Sequence, residues 1–491
     1  MKLVLSASAA LGAWLGWRSL GWPLIHDAPI MHYIAWVISL GGVPYRDAFD
    51  MNLPGVYLIH WTILSIGGRG DVAWRVFDLG WLAATCALLF AYCRPMSDGV
   101  AAGLASVLFA LYHLSGGAWR AGQRDYLLCV FLLAGAYGAA LSRERGGGMA
   151  SLLAGGVALG AGIMVKPVAG VFWLACAAAA AQGAARGRRA IAGAAVLAGG
   201  LIVPALVFGW LGARGGLGAF LDVLGGYVLP LYSRLARVGV AEAFREYPHG
   251  WQLWTLLAAL GALGAWSPAA SPFGHRKALA AMGVGYGVVH FLVQGKGWEY
   301  QLYPLALFLC ALASPAMVRA SGREGSEVRA ASPRRWAVLA VLAGVLVVLG
   351  QKGAEATDPP WIEEKAARVA ALTRDLSGIV PAGSTVQVMD VTEGGIHALL
   401  NLGLRQPTRF IYDFHFFHDE GDPRIQRLRA EFAAALAAAP PAAVVVLRDT
   451  WNRPGYDRLK SFPEVAGLLD REYVLAVDRD DYRIYAKRAH S

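Results

Sequence analysis

Apolar residues run along most of this chain in long blocks, without the one-faced periodicity of a soluble fold. Blocks of helical length lie near residues 3 to 22, 72 to 93, 98 to 115, 126 to 142, 148 to 165, 168 to 182, 190 to 211, 251 to 267, 278 to 294, 302 to 319 and 336 to 350. Each is near the length that crosses a bilayer core, so the pattern predicts about eleven transmembrane helices. Two apolar stretches are shorter. Residues 28 to 40 put Ile30, Met31, Ile34, Val37 and Ile38 at helical spacing, with His32 and Ser39 elsewhere on the wheel; they predict an amphipathic helix lying on the membrane surface. Residues 53 to 67 predict a second. Residues 23 to 70 then form one long external loop, the kind of segment that carries function.

Beyond residue 352 the pattern changes. Apolar strands predicted at 385 to 390, 409 to 414 and 442 to 448 alternate with helices near 394 to 403, 422 to 438 and 457 to 470. Such alternation predicts a parallel sheet with crossover helices, closed by a hairpin turning at Arg479 to Asp481. The fold class is therefore an α-helical polytopic membrane protein with a C-terminal soluble α/β domain. Residues 1–351 are expected to form the membrane body and residues 352–491 an external domain.

Composition agrees, with 56% of residues hydrophobic and 16% charged. The net charge of +10 is unevenly placed: residues 352–491 hold 18 of the 44 Lys+Arg and 20 of the 34 Asp+Glu, which leaves +12 on the remainder. Much of that charge falls in short loops on one side, at Arg94, Arg143, Arg145, Arg276, Lys277, Arg323, Arg329, Arg334 and Arg335 among others. By the positive-inside rule these loops and the N-terminus are cytoplasmic and the C-terminal domain is external. There is no basic helix or basic aromatic surface for nucleic acid, so none is expected as a partner. The first block lacks a small-residue cleavage site and is read as a retained span. Cys86, Cys93, Cys129, Cys176 and Cys310 each lie inside an apolar block without metal-ligand spacing, and read as small core residues.

Chemistry is confined to the expected outer face. Asp27 follows the first block directly, and Asp47 sits in VPYRDAFDMNLPG, where Pro44 and Pro54 bracket an irregular segment. A carboxylate there can take a proton from a hydroxyl or ligate a divalent cation, while Asp27 also suits the N-cap of the helix that follows. Arg120 and Arg124 in WRAGQRDY, Lys166 in VKPVAG and Lys296 in QGKGWEYQLYP each lie at the outer end of a different block. Together they suit an anion at headgroup depth; singly they suit snorkelling or pairing with Asp125 and Glu299. Tyr45, Trp298, Glu299 and Tyr300 complete the set as substrate-lining residues, with an interfacial belt as the alternative for the aromatics. No phosphate-binding glycine loop and no H-x-x-x-H pair occurs.

These residues resemble the GT-C superfamily of integral-membrane glycosyltransferases, of the glycosyltransferase family 39 type, near the bacterial protein-mannosyltransferase-like and lipid A aminoarabinose transferase branches. The resemblance rests on Asp27 after the first span, the amphipathic helix, GGVPYRDAFDMNLPG, the RxxxRD ending at Asp125, the KP at Lys166 and KGWEYQLYP from Lys296 to Pro304. It implies a multi-pass protein of the bacterial cytoplasmic membrane with a periplasmic C-terminal domain. The implied reaction moves a sugar from a polyprenyl-phosphate donor to a glycan, lipid or protein acceptor, with Asp27 as base and Arg120, Arg124, Asp125, Lys166 and Lys296 at the donor phosphate. Relatives often carry two adjacent acids where this chain has His26-Asp27-Ala28, so Asp47 stands in as the second acid. A divalent cation is the only cofactor these carboxylates admit. Two other readings fit the same charges: a secondary transporter, which would be expected to show inverted repeats, and a non-enzymatic polymer-assembly or export subunit.

Overall fold

Every one of the eleven apolar blocks is helical in the computed structural model, which describes residues 1–144, 148–245, 251–267, 273–320, 333–451 and 453–488. The stretches Asp71–Met96, Arg124–Glu144, Arg186–Ala213, Glu299–Val318 and Pro333–Ile379 are each long and apolar enough to cross a membrane. Gly99–Leu114, Met149–Val165, Ala169–Gly183 and Trp251–Ala265 are apolar but shorter. The chain is a polytopic helical membrane protein with a small C-terminal sheet. Of the basic loop residues, Arg145, Arg323 and Arg329 lie outside the described residues.

Helix is the conformation that satisfies backbone groups where water is absent, and glycine sets how closely such helices approach. A Cβ on Gly138 of Arg124–Glu144 would press into the Ser151 carbonyl and Gly155 of Met149–Val165. One on Gly160 of the same Met149–Val165 helix would meet the Gly200 carbonyl of Arg189–Ala213. These helices touch backbone to backbone, which any larger residue would prevent.

Two compact units are built from interleaved segments. The first takes Met1–Gly21, Arg75–Val207 and Ala236–Asp358; the second takes Trp22–Trp74, Phe208–Leu235 and Pro359–Ser491. The second unit contains the sheet: β1 (Val386–Met389), β2 (Ala443–Leu447), β3 (Tyr473–Asp478) and β4 (Tyr482–Lys487), in the order β1-β2-β4-β3. β1 and β2 are parallel, with Val386 opposite Ala443, and are joined through the helices Gly395–Leu402 and Pro423–Ala438. β4 runs antiparallel to both β2 and β3, so the sheet is mixed. Every residue of β1 and β2 is buried, which explains why β2 reads as an unbroken apolar run and why the one polar residue of β1, Gln387, is hydrogen-bonded.

Three expectations are corrected here. Residues 409 to 414 do not form a strand; Phe410 makes one isolated bridge to Phe49 before the 3-10 turn Phe414–Phe416. The edge of β1 that such a strand would use is occupied by a side chain, since Gln406 Oε1 accepts from Val388 N at 2.9 Å. The helix Asp27–Ser39 is not amphipathic on a surface either: Ala28 through Ala35 are all buried. Ile30, Met31, Tyr33 and Ile34 share a core with Leu372, Leu376, Val388 and Val445 of the C-terminal segment. Pro54–Gly67, by contrast, buries one face through Val56, Tyr57, His60 and Ile63. The third is the helix Pro360–Ile379, which the strand-centred reading of the tail passed over although Ile362, Val369, Leu372 and Leu376 give it a buried stripe.

Candidate functional site

In the second unit, Asp27 occupies the first turn of Asp27–Ser39, where a carboxylate is favoured by the helix dipole. The cap position itself belongs to His26, held at φ 53°, ψ −120° without a side-chain cap bond. A non-glycine residue at positive φ stores strain, and strain of this kind gathers at functional sites. The His26 ring packs on Trp361, with centroids 6.2 Å apart. Burial, with the Lys365 charge beside it, drives the imidazole down to about 2, so His26 is neutral at working pH. Lys365 lies one helical turn from Trp361, donates to the Thr392 carbonyl, and has its charge facing the carboxylates of Glu393, Asp390 and Asp27. Asp390 in turn accepts four backbone N–H bonds, from Val391 (2.6 Å), Glu393 (2.8 Å), Gly394 (3.0 Å) and Gly395 (2.8 Å), and burial raises it to about 6. No sequence motif pointed to Lys365 or Trp361.

Asp47 lies past the other end of that helix. Its carboxylate accepts from Val43 N at 2.8 Å and from Arg46 at 2.9 and 2.7 Å, and the guanidinium holds it below the usual carboxylate range. At about 1.5 Å per residue, the thirteen residues of Asp27–Ser39 separate Asp27 and Asp47 by roughly 20 Å. The two acids do not share a site. Among the described residues no group of three or more His, Cys, Asp or Glu converges to hold a metal ion. Tyr45 is also placed away from any opening. It is 1% exposed at φ 68°, its hydroxyl donating to the Asn52 carbonyl at 2.5 Å and its ring against Phe220.

In the first unit, Lys166 is paired with a buried acid and Arg120 with a half-buried one. Lys166 Nζ sits 2.9 and 2.8 Å from the two oxygens of Asp125, which also takes His290 Nε2 at 2.6 Å and Gln294 Nε2 at 3.2 Å. Tyr286 holds the other nitrogen of His290 at 3.0 Å. Arg120 pairs with Glu299, which lies 3.7 Å from Lys352, and stacks over Tyr112 at 4.4 Å. Arg124 is half-buried at the start of its helix. Lys296 differs from these: the Gly295 backbone beside it abuts the Arg237 side chain, and burial with the Arg237 charge brings its ammonium down to about 8. Two adjacent cations at one turn favour an anion. Trp298 is half-buried against the buried Tyr300, at 5.5 Å. His290, Gln294 and Lys352 were not singled out from sequence, because each reaches its partner across the bundle.

No family model and no curated protein matches the chain. Solved structures do. ArnT from Cupriavidus metallidurans bound to undecaprenyl phosphate superposes with a TM-score of 0.62 at 13% identity, over 99% of this chain and 98% of that one. The archaeal oligosaccharyltransferase AglB from Archaeoglobus fulgidus, in complex with an inhibitory peptide and a dolichol-phosphate, gives 0.51 at 12% identity over 99% and 74%. The same oligosaccharyltransferase in complex with Zn and sulfate gives 0.50 at 12%, over 90% and 68%. Likeness at such identity concerns the fold, and along its whole length this chain has the fold of ArnT, in line with the resemblance its motifs carry.

Proposed function

We propose that the protein is a membrane glycosyltransferase that moves a sugar from a polyprenyl-phosphate donor to an acceptor hydroxyl on the external face of the membrane. The observation that carries this reading is the end-to-end fold likeness to a structure holding undecaprenyl phosphate. Asp27 accepts the proton of the acceptor hydroxyl as that oxygen bonds to the anomeric carbon. The bond from that carbon to the donor phosphate oxygen breaks, and the polyprenyl phosphate leaves with the electron pair. In the first unit, Lys296 and Arg237 are the cations that bind the donor phosphate. Lys166 acts through Asp125, His290 and Gln294 by holding the bundle beneath.

The orientation belongs to the same proposal. Gly187 lies in an Arg-rich turn and is read as cytoplasmic, and Ser384 precedes β1 and is read as periplasmic. Impermeant thiol reagents applied to intact cells should label Ser384→Cys and spare Gly187→Cys; labelling of the latter alone would overturn the topology and the site with it. Function is tested by incubating the purified chain with undecaprenyl-phosphate-linked sugars and following release of undecaprenyl phosphate. Absence of turnover across a panel of donors and acceptors would favour an assembly or export subunit.

A further inference from the structure

The second unit holds a cavity of about 310 Å³ at the C-terminal end of Asp27–Ser39. Tyr33 and Leu40 line it from the helix, Asp47 from the turn beyond, and Thr385, Arg405 and Pro407 from the C-terminal segment. Its polar groups are of both kinds. Arg405 is exposed, with its charge facing the Tyr33 hydroxyl. That hydroxyl accepts from Gln406 N at 2.8 Å and so keeps its own hydrogen to donate. Asp47 offers fixed acceptors, its orientation locked by Arg46 and Val43 N. Leu40 and Pro407 add an apolar wall.

This mixture decides the class of ligand. A phosphate or carboxylate ligand would meet the Asp47 carboxylate, and an acyl chain would strand two charges. A polyhydroxylated ring satisfies all of it: its hydroxyls donate to Asp47 and accept from Arg405 and Tyr33, while its C–H face covers Leu40 and Pro407. The size is right for a small ligand. Along the helix its lining runs from Tyr33 to Leu40, about 9 to 20 Å from Asp27. We propose that this cavity is a saccharide subsite, holding a unit of a glycan acceptor several residues away from the unit being modified. It rests on the transferase reading for the role of acceptor, though not for the binding of sugar.

The test uses the full-length chain in lipid nanodiscs over an array of immobilised neutral and acidic oligosaccharides. A subset of glycans should be retained. Arg405→Gln, and Thr385→Trp to fill the space, should each weaken that retention about ten-fold or more at unchanged melting temperature. Asp27→Asn should bind as the native chain does. Retention of no glycan, retention indifferent to both cavity variants, or Arg405-dependent capture of phosphatidylglycerol vesicles in place of glycans would overturn the subsite. If glycans bind as expected yet Asp27→Asn still turns over donor, the catalytic reading falls and the subsite stands; lost turnover without glycan binding gives the reverse.

Discussion

Asp27 is the residue on which most depends. Asp27→Asn keeps the size of the side chain but removes the proton acceptor, and should lower transfer about 10²- to 10⁴-fold with donor binding retained; turnover assays beside donor-affinity measurements check it. Lys365, whose charge faces the Asp27 carboxylate, should act through it by holding that carboxylate in place. Lys365→Met should then cut kcat about ten-fold at unchanged donor KM, with Lys365→Arg restoring most of it. Lys296 carries its own signature. Its ammonium, held down to about 8 by burial and Arg237, loses its charge as pH rises through that value. Donor affinity should therefore fall about ten-fold between about pH 7 and pH 9, and Lys296→Arg, charged throughout, should flatten the curve. Asp27 stands out in the sequence as a candidate because it closely follows the first apolar block. Lys365 was not, because nothing local marks a lysine whose partners are distant in the chain.

At the scale of helices, two of the outer-end cations, Lys166 and Arg120, fasten elements together through Asp125 and Glu299. Asp125, Lys166 and the pair His290 and Gln294 come from three different elements and meet at bonding distance around the buried Asp125. Removing one partner of a buried ion pair leaves the other uncompensated, at a cost of about 3 to 5 kcal/mol. Lys166→Ala should accordingly lower the melting temperature sharply before any change in donor affinity is seen, and Lys166→Met with Asp125→Leu should recover much of the loss. Thermal unfolding of the native chain and the two variants in one detergent measures this. The helices themselves were readable because each needs an apolar run of its own. Residues 28 to 40 were misjudged because the wheel reports one apolar face, whereas the faces of His32 and Tyr33 are buried too. Residues 409 to 414 looked like a strand by composition, and only the Gln406 amide, seated on the β1 edge, shows why they are not one.

Over the whole molecule, hydropathy separated membrane body from tail, but it did not reveal that the second unit is assembled from three separate stretches of chain. Phe49, Val56, Tyr57, Phe220 and Tyr227 lie in the same core as Phe410, Phe416, Val445 and Ile484. Residues 359–491 made alone should thus keep helical content and lack a cooperative melt, whereas the intact chain unfolds the sheet in one transition; circular dichroism and amide exchange distinguish the two. The interleaving also fixes an order of events during synthesis. Residues 22–74 leave the ribosome first, yet the strands that cover Ile30, Met31 and Ile34 come last, so this early segment must wait, apolar and uncovered, while the bundle is inserted behind it. A chain stopped at Asp358 would carry all of its membrane helices and still leave that segment without its partner, a ready target for envelope chaperones and proteases.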